Sequence, residues 1–138
     1  MQTGATNMSH ELSSGLLLCA AVATLSSCSQ VRFSDPSTNP ESAEPVLCAN
    51  KAQCDVYWQR AQAWVANNSQ YRLQTTTDAI IETDGPLATQ TGLAYRITKV
   101  PDNTGGARIY AVSACSNAFG CSQTPTEAVV AFKRFVRN

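Results

Sequence analysis

The sequence predicts an α+β fold: a three-stranded antiparallel meander covered on one face by an N-terminal and a C-terminal helix, in the order α-β-β-β-α. First, two helix-periodic stretches, 50–70 and 124–137, flank the middle of the chain. Second, residues 71–115 between them contain three runs in which apolar and polar side chains alternate. Consecutive strands with short connections pair antiparallel, and a small sheet with one apolar face is covered by helices on that face.

The first helix is predicted over residues 50–70. Asn50 is followed three residues later by Gln53, which is typical of a capping box that satisfies the free N–H groups of the first turn. Asn67 and Asn68 end the helical pattern. The stripe expected to face the sheet consists of Cys54, Tyr57, Trp58, Ala61, Trp64, Val65 and Asn68.

Three strands are predicted after this helix. Residues 71–83 form the first, with a bend or bulge at 77–78. Residues 93–100 alternate cleanly, and 107–115 form the third strand. The composition of 101–106, "PDNTGG", indicates a hairpin turn between the last two.

The C-terminal helix begins with "TPTE". Thr124 is the expected N-cap, Pro125 occupies the first helical position and Glu127 completes a capping box. The predicted inner face consists of Val129, Phe132 and Val136, with Ala128 and Phe135 beside it. Near the end of the helix, Lys133, Arg134 and Arg137 are expected to complement the helix dipole and to keep the surface soluble.

Four of the six cysteines form two pairs with identical C-x5-C spacing, namely Cys48 with Cys54 and Cys115 with Cys121. Such pairs in a small domain behind an export signal predict disulfides. Local pairing is favoured because each bridge would fasten a helix to its neighbouring segment, and pairing between the two sets stays open. Zinc sites prefer C-x2–4-C and redox pairs prefer C-x-x-C, so neither a metal nor a redox role is expected.

The N-terminal region predicts export and lipidation. Residues 12–25 form an uncharged apolar run with the length of a signal-peptide core, shorter than a membrane-spanning helix, although residues 1–11 lack Lys and Arg. The following "LSSC", ending at Cys28, resembles the lipobox of bacterial lipoproteins. That resemblance implies cleavage before Cys28 and acylation of its thiol. Cleavage after "AVA" at 21–23 would instead give a soluble periplasmic protein, and a disulfide at Cys28 is a further alternative.

The chain is therefore divided into a signal peptide (1–27), a lipidated Cys28 with a disordered tether (28–45) and a small α+β domain (46–138). The tether contains three prolines and almost no apolar side chains, so it is expected to stay solvated and to hold the domain some tens of ångströms from the bilayer. Because Ser29 rather than aspartate follows Cys28, we expect the periplasmic side of the outer membrane.

Charge and composition argue against several functions. The ten basic and ten acidic residues balance, so no nucleic-acid partner is expected. The single histidine, His10, lies in the predicted leader, and the carboxylates are scattered without paired spacing. We therefore expect a non-enzymatic protein without a cofactor or a metal.

The hypothesis favoured by the sequence is a lipid-anchored periplasmic module that binds a protein partner or supports the envelope. One alternative is a periplasmic immunity or inhibitor protein that caps a toxin or hydrolase. Another is a small-ligand-binding domain that uses aromatic side chains. The aromatic residues that could form a ligand or partner surface are Tyr57, Trp58, Trp64, Tyr95 and Tyr110. For both tryptophans, a place in the core is the commoner role.

The stretch "QCDVYWQRAQAWVANNSQYRLQTTTDAIIET", together with "CSNAFGC", resembles a family of small exported proteins of Proteobacteria that has no assigned activity. This resemblance covers roughly residues 48–121. The order of a Trp-bearing helix, a meander and a closing helix also resembles the repeated domains of the C lipoprotein of the β-barrel assembly machinery, as a fold-level analogy only.

Overall fold

The computed structural model describes residues 30–36 and 38–138. The expected signal peptide and Cys28 lie outside the described residues. In chain order, the described part contains β1 (Arg32–Phe33), α1 (Pro40–Ala43), β2 (Val46–Cys48), α2 (Lys51–Asn68), β3 (Leu73–Thr76), β4 (Ile80–Thr83), β5 (Ala94–Pro101), β6 (Ala107–Cys115) and α3 (Pro125–Arg137).

The strands form one antiparallel sheet in the order β1-β6-β5-β4-β3, and β2 pairs with β6 on the same edge as β1. Arg32 lies opposite Cys115 at one end of β6, and Cys48 lies opposite Ala107 at the other end. The predicted α+β class with an antiparallel sheet is confirmed. The three-stranded meander is wrong, because the described residues contain six strands and three helices.

One difference arises at Thr77, where the strand predicted over 71–83 is a hairpin of β3 and β4. The Thr77 N–H donates to the carbonyl of Ile80 over 2.8 Å. The Thr77 hydroxyl accepts from the N–H groups of Ala79 and Ile80, at 3.2 and 3.0 Å. Because the N–H and the hydroxyl of Thr77 both bind the backbone two and three residues later, the chain makes a complete turn here and not a bend within one strand.

Both long helices begin where the sequence predicts. The Asn50 side chain accepts from the Gln53 N–H, and the Gln53 side chain accepts from the Ala49 N–H. At α3, the Thr124 hydroxyl accepts from the Glu127 N–H while the Glu127 carboxylate accepts from the Thr124 N–H, which is a complete capping box.

The core lies between α2, α3 and one face of the sheet. Trp64 is at its centre, with its ring edge-on to Tyr95 at 5.2 Å and to Phe132 at 5.4 Å between centroids. Phe135, predicted beside the inner face of α3, is half exposed, whereas Lys133 is buried. The core cluster includes Val46, Trp58, Ala61, Val65, Ile81, Leu93, Ile97, Ile109, Ala128, Val129 and Val136.

The opposite face of the sheet carries exposed apolar side chains. In the register of β5 and β6, Arg96 lies opposite Val112 and Thr98 opposite Tyr110, and these alternate with the core residues. Val112 and Tyr110 are both about two-fifths exposed. These two side chains are therefore partly accessible to solvent or to a partner.

The segment expected as a tether differs from that expectation. Residues 32–36 and 38–44, called the strap below, lie along α3 and along the edge of the sheet formed by β6. β1 extends the sheet, the Ser34 N–H donates to the carbonyl of Ser113 over 3.0 Å, and the Asp35 N–H donates to the Thr126 hydroxyl. The polar, proline-rich composition of the strap predicts disorder. The structure differs because the strap is held by polar contacts with residues about 80–90 positions away, which its own composition does not reveal.

Two disulfides close the local loops favoured by the sequence, Cys48 with Cys54 and Cys115 with Cys121. The first fastens the end of β2 to the start of α2. The second fixes the chain between β6 and α3 at the opposite end of the sheet. Cys115 lies in the main core, whereas Cys48 and Cys54 form a small separate cluster with Ala107.

Replacing each cysteine pair by alanine tests the contribution of the two loops. Both loops span seven residues, so the chain-entropy model gives each bridge about 2.4 kcal/mol of stability. We expect Cys48→Ala/Cys54→Ala to lower the free energy of unfolding by about that amount, measured by urea denaturation. Cys115→Ala/Cys121→Ala should cost more because it also leaves a gap in the main core. Equal losses for the two variants would contradict this difference.

Candidate functional site

The five predicted aromatic residues do not form one surface. Trp58, Trp64 and Tyr95 are 5 %, 7 % and 4 % exposed and belong to the core, and burial raises the pKa of Tyr95 to about 12. Tyr57 is partly buried on α2, and its hydroxyl accepts from the Gln53 side-chain amide. Tyr110 lies on the opposite face of the sheet. The interface between helices and sheet is therefore filled, and an aromatic stacking platform across all five is not present.

A groove of about 550 Å³ runs beside the edge of Trp58, between α2 and the β5–β6 hairpin. It is called the Trp58 groove below. Trp58 is held there by its indole N–H, which donates to the carbonyl of Thr77 over 3.0 Å. The groove is lined by Lys51, Cys54, Asp55, Trp58, Gln59, Gln62, Asp78, Lys99, Pro101, Gly105, Gly106 and Ala107.

The charges around the Trp58 groove are balanced. The Lys99 ammonium lies over the Trp58 ring, 4.8 Å from its centroid, in cation–π geometry. Lys51 donates to Asp55 over 2.6 Å, and this contact raises the pKa of Lys51. The groove therefore offers side-chain amides, the Lys51 ammonium paired with Asp55, and the Lys99 ammonium on the Trp58 ring. These groups can bind a polar partner surface that carries charges of both signs.

A tight turn forms the end of the groove. The Asp102 carboxylate accepts from the N–H groups of Thr104 and Gly106 and from the Thr104 hydroxyl, and these bonds lower the pKa of Asp102. Gly106 is required here because a Cβ would lie 2.5 Å from the carbonyl oxygen of Cys48. The turn is thereby fixed against the first disulfide, and this wall of the groove is rigid.

The most buried charge in the described residues is Lys133, which is 1 % exposed. Its ammonium donates to three backbone carbonyls at the end of α1, those of Glu41, Ser42 and Glu44, over 2.9, 2.6 and 2.5 Å. Burial lowers the pKa of Lys133 to about 8, with a smaller contribution from Arg137, while the carboxylates of Glu41 and Glu44 oppose the shift. At neutral pH the three N–H groups of the ammonium match the three acceptors.

The prediction that Lys133 complements the helix dipole at the surface is therefore wrong. Lys133 lies four residues after Val129, on the apolar stripe of α3, and a lysine in that position was the signal for a buried partner. Around it, Arg134 and Arg137 both pair with Glu41, at 2.9 and 3.4 Å, and lower the pKa of that carboxyl. These contacts hold the strap against α3.

Other classes of site are not found in the described residues. They contain no group of three or more His, Cys, Asp or Glu side chains arranged to hold a metal ion. None of their helices combines the length and the apolar character needed to cross a bilayer. The chain matches no protein-family model, no curated protein and no solved structure. The functional proposals below accordingly rest on the residues themselves.

Lys133→Met tests whether the ammonium holds the strap. Methionine keeps the aliphatic stem but leaves three carbonyls without a donor, which costs about 1–3 kcal/mol when such groups stay buried. We expect amide hydrogen exchange in residues 32–44 to accelerate by roughly tenfold or more while exchange in β5 and α2 changes little, read by mass spectrometry. The matched control is Lys51→Met, an exposed lysine outside the strap. Unchanged exchange of the strap in Lys133→Met would contradict the assignment.

Proposed function

We propose that this chain is a lipid-anchored protein of the bacterial cell envelope, facing the periplasm from the outer membrane, and that its domain acts as a non-enzymatic binding module. The observation that carries the proposal is the "LSSC" motif directly after the uncharged apolar run of residues 12–25. In this account Cys28 becomes the acylated N-terminus after residues 1–27 are removed.

The two disulfides support export. Disulfides form and persist in oxidising compartments such as the periplasm, and both cysteine pairs of the domain are oxidised. A soluble periplasmic form, cleaved within the leader but not acylated, would have the same disulfides. The acyl group at Cys28 is therefore the feature that distinguishes the two.

Cys28→Ser tests the anchor. We expect the wild-type protein to begin at residue 28, to carry the mass of diacylglyceryl and acyl groups, and to fractionate with the outer membrane. Cys28→Ser should lose the added mass and be absent from the outer-membrane fraction, because without the thiol no acyl chains are attached to hold the protein there. The measurement is intact-mass spectrometry of protein from its native envelope. A wild-type protein that begins at Met1 without an acyl mass would contradict the proposal, and one that begins near residue 24 would favour the soluble form.

The Trp58 groove is the surface that we propose for the partner. It combines a turn held by the Asp102 carboxylate, the side chain of Trp58 and charges of both signs, so a polar protein segment of mixed charge can bind there. A partner that is itself a toxin or a hydrolase would make the chain an immunity or inhibitor protein. A small ligand bound against Trp58 is the second candidate, favoured by the volume of the groove.

A photo-crosslinking residue at Gln62 tests this surface in the exported, full-length chain. We expect a discrete adduct with one envelope protein from Gln62, which lines the groove. The control position is Ala63, exposed on the same helix but outside the groove. Adducts of equal yield from both positions, or none from either, would contradict a protein partner in the groove. If neither position gives an adduct, a small molecule that shields the Trp58 fluorescence from a soluble quencher would still support a ligand in the groove.

A further inference from the structure

Several exposed apolar side chains gather at one end of the domain. This end, called the Phe119 end below, consists of residues 30–33, the loop 84–92 and the loop 116–122. The loops are joined because the Ser122 N–H donates to the carbonyl of Thr91 over 3.0 Å. The exposed apolar residues are Val31, Phe33, Leu87 and Phe119, with Val112 beside them on β6.

Phe119 is the most exposed of these residues, at 101 % of its reference area. The loop that presents it is held firmly: the buried Asn117 accepts from the N–H groups of Phe119 and Gly120, and the Cys115–Cys121 disulfide closes the loop. Gly120 has a φ of +98°, which a residue with a side chain rarely adopts. A rigid loop that holds an aromatic ring entirely in solvent indicates a surface that is covered in the assembled state.

An apolar groove of about 370 Å³ lies at the same end of the domain and includes Gly85 and Pro86 of the loop 84–92. Val31 and Phe33 from the start of the described chain form one side, and Pro86, Ala94 and Val112 form part of the rest. Glu82 and Arg96, paired at 3.7 Å, lie at its rim. The apolar area is thus continuous from β1 to the sheet face.

Cys28 cannot be far from this end. β1 runs antiparallel to β6 with Arg32 opposite Cys115, so the chain before Arg32 leads past Cys115 towards the loop 116–122. Arg32 is four positions after Cys28, and a fully extended chain covers at most about 3.6 Å per residue, or about 14 Å in total. The strap therefore replaces the long tether expected from the sequence with a link of a few residues.

We propose that the Phe119 end of the domain lies on the lipid surface to which Cys28 is anchored, with Phe119 in the interfacial layer. This inference rests on the proposed lipidation of Cys28. Acyl chains held within about 14 Å of Arg32 place this end against the bilayer rather than in bulk solvent. Aromatic rings favour the membrane interface, and the exposed Arg32 beside them suits phospholipid head groups.

This orientation also directs the Trp58 groove away from the membrane. The groove includes Ala107, the first residue of β6, whereas the Phe119 loop follows Cys115, its last residue. Nine residues of strand separate the two ends by about 26 Å. A partner in the periplasm can then reach the groove while the opposite end contacts lipid.

Phe119→Trp in the full-length, exported and acylated protein tests the orientation. The protein is reconstituted into vesicles of phosphatidylethanolamine and phosphatidylglycerol, with or without brominated acyl chains, which quench tryptophan on contact. The native Trp58 and Trp64 are buried and give a constant background. The matched control is Val56→Trp, which adds a tryptophan at an exposed position on α2. We expect brominated lipid to remove most of the emission added in Phe119→Trp and to leave that of Val56→Trp unchanged.

Vesicle flotation of the same samples separates this inference from the anchor on which it rests. Protein that floats without selective quenching in Phe119→Trp overturns the orientation but leaves lipidation intact. Protein that fails to float overturns both. If the added tryptophan is already shielded from water in a Cys28→Ser background without vesicles, a second copy of the chain covers the patch, and the lipid contact is overturned.

Discussion

The attachment of the strap to α3 depends on one buried ammonium group. Lys133 places its three N–H groups against the carbonyls of Glu41, Ser42 and Glu44, which have no other helical partner because α1 is only four residues long. The charge is taken out of water and is stabilised by these three carbonyl acceptors. Arg134 and Arg137 strengthen the attachment through Glu41. Without this contact, the strap would keep only the pairing of β1, the exposed ion pairs of Glu41 and a few polar bonds at Ser34 and Asp35.

The strap and β2, which follows it, lie along the same edge of the sheet. β1 of the strap pairs with one end of β6 and β2 pairs with the other end, and each end also carries a disulfide. The Trp58 groove is built at the end near Ala107, and the exposed Phe119 is presented at the end near Cys115. The polar groove at one end of the domain and the exposed apolar side chains at the other are consistent with the envelope module proposed above.

Local sequence signals predicted the elements that depend on local chemistry. The caps at Asn50 and Thr124 determine the starts of α2 and α3, and the alternation in 107–115 corresponds to β6. The strap could not be predicted from its own composition, because its stability comes from Lys133, a residue about 90 positions away. At 77–78 the sequence predicts a bend or bulge where the structure has a complete turn, because threonine is a common strand residue and its side chain alone does not indicate a reversal. The Trp58 groove arises from the packing of α2 against a hairpin and has no local signature.

Backbone 15N relaxation of the folded chain tests the central claim, that residues 32–44 are part of the domain. If Lys133 holds the strap as described, its amides have order parameters near those of β5 and β6, about 0.85. A solvated tether would instead give values below about 0.6 from residue 30 to residue 45, and that result would contradict the account.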